Sequence, residues 1–148
     1  MDELLIGVDV GTTGTKSIVI DLNGNILTSA YRSYSTYNSK PGYSEQDAED
    51  WWNAVVATVR ECTADEMIRK SIVSIGLSSQ GGSMVPVDKA GLPLRRAFVW
   101  MDKRGTQQYE IYKKETPKDY FYLTTGWELS PGLNAVQILW MKQNEHAF

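Results

Sequence analysis

Eight consecutive residues near the N-terminus carry the groups that bind phosphate and magnesium ions. They are Asp9, Val10, Gly11, Thr12, Thr13, Gly14, Thr15 and Lys16. The glycines let a ligand approach backbone N–H groups, the threonines supply hydroxyls, and Lys16 supplies a positive charge. Asp9 supplies a carboxylate, a common ligand of a hard cation such as Mg²⁺. We therefore predict a phosphate- and magnesium-binding loop, with an ordinary Gly/Thr-rich turn as the alternative.

Two short apolar segments rich in β-branched residues flank this loop, at 4–8 and 17–20. Segments of this length and composition are typical of strands, so we expect the loop to join the two strands of a hairpin. In the Walker and dinucleotide-binding loops a helix follows the glycines instead. The acidic residue before the loop and the basic residue after it favour a ligand site over a plain turn.

A second candidate site follows the apolar segment at 71–77, which predicts a buried strand. A strand that follows a helical crossover is expected to run parallel to an earlier one. The polar residues at 78–83, including Gln80, come at its carboxyl end, where open α/β sheets bind ligands. A glycine-rich turn into another short strand at 84–87 explains the same residues equally well.

A third polar group, Asp102 and Arg104, comes just after the aromatic Trp100. Opposite charges beside an aromatic ring are suited to a polar ligand. They are also common at the solvated start of a helix, and without other observations this second interpretation is favoured.

The elements that must position these groups are indicated by turns and periodicity. Asn23-Gly24 separates two apolar segments, which predicts a hairpin. The chain is thus expected to open with three antiparallel strands, at about 3–10, 15–22 and 25–33.

A helix is predicted from Asp47, as its N-cap, to about residue 62. Trp51 and Trp52 lie in its apolar pattern, and we expect them to pack in the core. Residues 97–100 predict a short strand. Helices are predicted at 102–114, from Thr116-Pro117 onward, and at 133–144.

The composition favours a globular protein of one domain, because the chain has 148 residues, of which 42% are hydrophobic. A net charge of −3 provides no basic surface for nucleic acid. The single cysteine, Cys62, fits a reducing compartment, and no segment has the length and hydrophobicity of a signal peptide or a membrane span. We expect a soluble cytoplasmic protein.

Four stretches together resemble the FGGY family of carbohydrate kinases, a branch of the actin, hexokinase and Hsp70 ATPase superfamily. They occur in the family's order and spacing, and xylulokinases are the most similar branch. The stretches are the loop at 9–16, the segment 41–47 followed by Trp51 and Trp52, the segment 100–104, and Thr125-Gly126 followed by 135–145.

This resemblance implies a fold and an activity. The fold is α/β, a ribonuclease H-like (actin-like ATPase) lobe whose mixed sheet opens with three antiparallel strands and carries helices on its faces. The activity is ATP-dependent phosphorylation of a hydroxyl group on a small-molecule sugar or polyol. By the same resemblance Asp9 would hold Mg²⁺, and the ATP phosphates would be bound by Gly11, Thr12, Thr13 and Lys16. The substrate would be bound by Gln80, Gly81, Gly82, Trp100 and Asp102.

The chain departs from the family where the family's side chains grip the sugar. Gly81 and Gly82 replace Arg-Glu of glycerol kinases or Met-His of xylulokinases, and Gly132 replaces a pocket tyrosine of glycerol kinases. These losses suggest a roomier pocket, or one whose contacts come from backbone and from other residues. We expect a sugar or sugar acid of five or more carbons rather than glycerol.

The family's general-base aspartate and its second lobe lie beyond the 148 residues. Residues 1–148 are therefore expected to form the N-terminal part of the first lobe, inactive by itself, and Asp102 is a poor candidate for the base. A non-enzymatic sugar- or nucleotide-binding module is the main alternative, while a chaperone or cell-shape ATPase fits the Trp51-Trp52 segment less well. Pairing into a homodimer is one way to cover apolar surface left exposed.

Overall fold

The computed structural model describes residues 3–145, which form two compact units where the length predicts one domain. The first unit contains the residues up to Ser35 and Asp47–Gln80, and the second contains Thr36–Gln46 and the residues from Gly81 onward. In chain order the elements are β1 (Leu4–Val10), β2 (Gly14–Asp21), β3 (Ile26–Ser33), β4 (Glu45–Gln46), α1 (Ala48–Cys62), α2 (Glu66–Ser71), β5 (Ile72–Ser79), β6 (Ala97–Phe98), α3 (Thr106–Glu115), α4 (Tyr120–Thr125) and α5 (Asn134–Asn144).

The first unit contains a four-stranded sheet in the order β3-β2-β1-β5. The pairs β1–β2 and β2–β3 are antiparallel, and β5 runs parallel to β1. At the β2–β3 turn Gly24 has a φ of 86°, and the Asp21 carboxylate accepts hydrogen bonds from the N–H groups of Asn23 and Asn25. The three antiparallel strands and the parallel fourth strand are thus confirmed.

Helix α1 packs on this sheet through small side chains. Its N-cap is Asp47, whose carboxylate accepts a hydrogen bond from the Glu49 N–H at 3.1 Å, as predicted. The buried residues of the helix are Ala54, Thr58 and Cys62, and Cys62 belongs to a core with Leu4, Ile6, Val19 and Ala30. The core prediction for Trp52 is wrong, because 62% of its surface is exposed. Small residues at every fourth position bring the helix close to the sheet, and Trp52 lies away from that stripe.

The predicted fourth strand is present as β5, but the prediction that it is buried is wrong. The exposed fractions of Val73, Ile75 and Leu77 are 57%, 64% and 73%. Ile75 and Leu77 pair with the buried Ile6 and Val8 of β1 and so share their face of the sheet. Helix α1 packs mainly against β2 and β3, and β5 is the last strand of the sheet within residues 3–145, which leaves this face of β5 uncovered.

Helix α2 is an element that the hydrophobic pattern does not predict. Its signal is Asp65, the N-cap, whose carboxylate accepts hydrogen bonds from the N–H groups of Met67 and Ile68 at 2.7 and 3.2 Å. The helix has only six residues, so no apolar period is visible in it.

The second unit contains the antiparallel pair β4–β6, in which Glu45 lies opposite Phe98. The strand predicted at 84–87 does not form. Only isolated bridges occur there, from Met84 to Phe98 and from Val87 to Pro93. Pro86 interrupts the segment, because proline has no N–H group to donate.

The helices of this unit begin later than predicted. Helix α3 begins at Thr106, after a turn in which the Asp102 N–H donates to the Val99 carbonyl at 2.8 Å. Helix α4 begins at Tyr120, since Asp119 has a left-handed φ of 61° just before it. Helix α5 is confirmed. Over residues 3–145, every helix is too short or too polar to span a membrane.

Candidate functional site

The predicted phosphate loop joins β1 to β2 as a tight hairpin. Asp9 lies directly opposite Lys16 in the ladder, and both residues are exposed. The Gly11 N–H donates to the Gly14 carbonyl at 3.0 Å, so this amide is engaged within the loop. The Thr15 side chain is buried. The hairpin therefore exposes a carboxylate and an ammonium group side by side, on adjacent strands.

Two tyrosines on and after β3 hold the loop in place. The Tyr34 hydroxyl donates to the Gly11 carbonyl, and the Tyr34 N–H donates to the Thr13 carbonyl at 3.3 Å. The Tyr31 hydroxyl lies 3.4 Å from the Thr13 hydroxyl oxygen. Burial raises the pKa of Tyr34, with a smaller contribution from the negative charge of Asp9. The sequence analysis missed these tyrosines, whose only signal is their position where β3 returns past the loop.

Gly14 is required by this arrangement. A Cβ atom at that position would lie 2.5 Å from the Arg32 carbonyl oxygen and would also collide with the Tyr31 ring. Such contacts do not occur between real side chains and backbone, so any other residue would displace β3 from the loop.

The carboxyl end of β5 lies beside the phosphate loop. The Gln80 N–H donates to the Val10 carbonyl at 2.9 Å, and Ser78 pairs with Asp9 in the parallel register. Both strands end at the same edge of the sheet, so the structure brings Gln80 together with the loop within the first unit. This is the arrangement expected of a ligand site in an open sheet.

A groove with a volume of about 450 Å³ adjoins Asp9 and Lys16. Its floor includes Gly7 and Gly76, which pair directly across β1 and β5 and leave the backbone bare. Among the described residues no three His, Cys, Asp or Glu side chains cluster as a metal site. Asp9 thus provides a single carboxylate, which suits Mg²⁺, since this ion is usually held by one or two carboxylates, water and phosphate oxygens.

The predicted substrate residues of the second unit surround Trp100. Trp100 is 50% exposed, and its backbone N–H donates to the Ser83 hydroxyl at 3.2 Å. Gly82 has a φ of 77°, and a Cβ atom there would lie 3.3 Å from the Trp100 Cβ. A Cβ atom at Gly81 would meet nothing within 4 Å. Gly81 is therefore open, whereas Gly82 packs against Trp100.

The position of Asp102 does not fit the prediction that it binds the sugar, because its side chain is fully buried. One carboxylate oxygen accepts from the Ser44 N–H at 2.7 Å, and Arg104 binds both oxygens at 2.7 to 3.0 Å. Arg104 also binds Glu45 at 2.7 Å and stacks 3.7 Å above the Tyr43 ring. Burial lowers the pKa of Arg104, but the bonds to Asp102 and Glu45 outweigh it and raise the pKa overall.

Gly132 is the second of the three positions, after Gly82, at which the interpretation of a roomier pocket is corrected. A Cβ atom at 132 would lie 2.5 Å from the Trp100 carbonyl oxygen and 3.2 Å from that of Asp102. The glycine therefore serves close backbone packing and leaves no cavity in place of a side chain. Only Gly81 behaves as the interpretation expects.

Comparisons with known proteins show which family the chain belongs to. The sequence matches the N-terminal domain of the FGGY family of carbohydrate kinases over residues 4–148. It is 33% identical to a xylulose kinase of Staphylococcus epidermidis in an alignment 148 positions long, which covers 97% of this chain and 28% of that protein. It is 32% identical to a glycerol kinase of Pediococcus pentosaceus over 142 residues, 95% of this chain and 28% of that protein.

Solved structures show the same similarity. A ligand-bound xylulose kinase and a gluconate kinase, both from Lactobacillus acidophilus, each superpose with a TM-score of 0.89 at 27% identity. Each superposition covers 98% of this chain and 29% of the solved chain. The fold is the actin-like ATPase fold of these kinases, and the chain spans less than a third of their length.

Proposed function

The chain belongs to the FGGY family of carbohydrate kinases, and from this we propose that the protein phosphorylates a sugar or polyol hydroxyl with ATP. The observation that carries the proposal is the β1–β2 hairpin, which presents Asp9 and Lys16 beside the strand-end Gln80. Phosphoryl transfer depends mainly on positioning and on neutralising phosphate charge. The exposed Asp9 carboxylate can hold a cation, and the exposed Lys16 ammonium group can bind phosphate. The hairpin thus supplies both positioning and charge neutralisation.

On the nucleotide side, we propose that Asp9 holds Mg²⁺ and that Thr12, Thr13 and Lys16 face the ATP phosphates. The contribution of Gly11 differs from the prediction, because its N–H is bonded to Gly14. Its role in the proposal is to keep the loop free of a side chain. Bound Mg²⁺ would neutralise charge on the phosphate oxygens.

On the sugar side, we propose contacts from Gln80, Gly81, Gly82 and Trp100. Asp102 supports this region from within the fold, since its carboxylate is buried and bonded to Arg104. The open space at Gly81 is consistent with a sugar or sugar acid of five or more carbons. Faster turnover of glycerol than of any ketose or larger polyol would contradict this substrate class.

We further propose a cytoplasmic location and no nucleic-acid partner, in line with a net charge of −3 and a single buried cysteine. The uncovered face of β5 is the surface through which we propose that the 148-residue chain pairs with a second copy. Both copies would gain by removing apolar side chains from water.

The test is a coupled ADP-release assay on the full-length gene product with a panel of ketoses, polyols and sugar acids. We expect turnover of one sugar, and a loss of about 10²-fold or more in kcat for Asp9→Ala, because an electrostatic contact to the reacting phosphate is removed. Asp21→Ala is the matched control, since Asp21 is a half-buried aspartate at the other end of the same hairpin, where its carboxylate bonds to Asn23 and Asn25.

The same assay decides between the kinase and a non-enzymatic binding module. The burial of Asp102 does not favour the module over the kinase, because the family's general base is expected downstream of the residues that the structure describes. ATP binding without turnover of any sugar by the full-length product would establish the module and overturn the kinase. We expect the 148-residue chain alone to be inactive in either case.

A further inference from the structure

We infer that Gly132 is a positioning residue for the sugar, because it packs against the backbone of Trp100 and thereby sets the orientation of the indole ring. The inference rests on the function proposed above, in which Trp100 contacts the sugar. It assigns a role to a residue in the loop before α5 that has no side chain and does not itself touch the substrate.

The first step in the argument is the closeness of the contact. A Cβ atom at 132 would lie 2.5 Å from the Trp100 carbonyl oxygen and 3.2 Å from the Asp102 carbonyl oxygen. Both atoms belong to the backbone, so neither can rotate aside as a flexible side chain could. Even an alanine at 132 therefore requires the segment that carries Trp100 to move.

The second step is that this segment has few ways to absorb a displacement. Its turn is closed by the bond from the Asp102 N–H to the Val99 carbonyl at 2.8 Å, and the Asp102 side chain is fixed in the interior by Arg104. On the other side of Trp100, its backbone N–H donates to the Ser83 hydroxyl at 3.2 Å. A shift imposed at the Trp100 carbonyl is therefore transmitted to the indole ring.

The third step concerns Gly82, which contacts the same residue from the loop after β5. Its φ of 77° is a conformation that favours glycine, and a Cβ atom there would lie 3.3 Å from the Trp100 Cβ. Two glycines thus flank Trp100, one at its carbonyl and one at its Cβ. The indole between them is half exposed, so part of its surface can contact a ligand.

The experiment is a double-mutant cycle in the full-length gene product with Gly132→Ala and Trp100→Ala. We expect Gly132→Ala to raise the KM for the sugar about tenfold or more, since small misplacements of a contact group are costly, and to change the KM for ATP less than about twofold. In the Trp100→Ala background, Gly132→Ala should have no further effect on the KM for the sugar, because the ring it positions is gone.

Gly91→Ala is the matched control for lost stability. Gly91 is a glycine of the same unit with a φ of 82°, and a Cβ atom there would meet nothing within 4 Å. Its substitution strains the backbone without touching Trp100, so both KM values should stay at the wild-type level. Failure of Gly132→Ala to fold, with Gly91→Ala folded, overturns the inference, because Gly132 would then serve the fold of the unit rather than the orientation of the indole ring.

The outcomes separate this inference from the proposed function. Two results overturn the role of Gly132 while wild type still turns over a sugar. In the first, Gly132→Ala leaves the KM for the sugar unchanged; in the second, it changes the KM for the sugar and the KM for ATP equally. Both leave the proposed kinase activity in place. The same holds where Gly132→Ala and Trp100→Ala have additive effects. Absence of turnover in wild type overturns the proposed function, and the positioning role with it.

Discussion

Cys62 joins the last turn of α1 to the middle of β2. Its thiol is buried and lies 3.4 Å from the Ser17 carbonyl oxygen, to which it donates. Burial raises the pKa of this thiol above its usual value of 9.0. The neutral thiol is therefore favoured in the folded chain, whereas the unfolded chain ionises first as the pH rises.

The resulting prediction is a loss of stability in alkaline solution. The contribution of Cys62 is fully present below the thiol pKa of the unfolded chain and falls as the pH rises through the folded value. Urea unfolding of the 148-residue chain at about pH 8 and about pH 9.5 should show a larger drop in midpoint for wild type than for Cys62→Ala. Equal drops would assign the alkaline loss to other groups, of which Tyr34 is one, since its pKa is also raised.

Asp102 shows which residue roles sequence can miss. The Trp100-to-Arg104 segment was expected either to bind a ligand or to begin a solvated helix. In the structure Arg104 bonds to Glu45, 59 positions earlier in the chain. A buried ion pair formed over such a separation cannot be recognised locally, because the residues around each partner do not indicate that the partner is buried.

At the scale of elements, the contact between α1 and the sheet includes a buried pair of hydroxyl groups. The Ser17 and Thr58 oxygens lie 2.8 Å apart, and Thr58 also donates to the Ala54 carbonyl at 2.9 Å. The proton between the two hydroxyls must then come from Ser17. Both residues are fully buried, so this bond replaces one that water would otherwise make.

We predict that Thr58→Val lowers the free energy of unfolding of the 148-residue chain by about 1–3 kcal/mol, because the buried Ser17 hydroxyl loses its acceptor. Ser17→Ala combined with Thr58→Val should cost less than the Thr58 substitution alone. The measurement is urea unfolding followed by circular dichroism. A double variant whose loss is the sum of the two single losses would show that the hydroxyls do not interact.

The elements themselves could largely be predicted from the sequence. Asn23-Gly24, the Asp47 N-cap and the period of α5 are local signals, and the elements they indicate are present. Burial was the part that failed. The apolar patterns of α1 and β5 show that these segments can pack against other apolar surfaces. Which of their faces is covered depends on elements that are distant in the sequence. The close approach at Gly132 likewise depends on Trp100, which is 32 positions earlier, so the sequence gives no sign of it.

At the scale of the whole molecule, the uncovered side of β5 is the most exposed part of the sheet. Val73, Ile75 and Leu77 are each more than half exposed on a strand that ends the described sheet. An apolar strand at a sheet edge is a template for pairing with another chain. The 148-residue chain is thus expected to associate with itself.

The prediction is concentration-dependent association of the 148-residue chain, weakened by Ile75→Lys combined with Leu77→Lys. Two charges on the apolar face make its burial in an interface costly. Leu22→Lys combined with Leu92→Lys adds the same charge at two exposed leucines outside β5 and should leave association unchanged. Sedimentation equilibrium measures the mass in each case. Equal association of the wild type and the β5 variant would place the contact elsewhere.

The division into two units has a consequence for exchanging parts between relatives. Thr36–Gln46 belongs to the second unit but lies in the chain between β3 and α1 of the first. It supplies β4, whose partner β6 comes more than fifty residues later. A chimaera that takes only the segment after Gln80 from another member of the family would join a native β4 to a foreign β6. Transplanting the unit that carries Trp100 intact requires three splice points, after Ser35, after Gln46 and after Gln80.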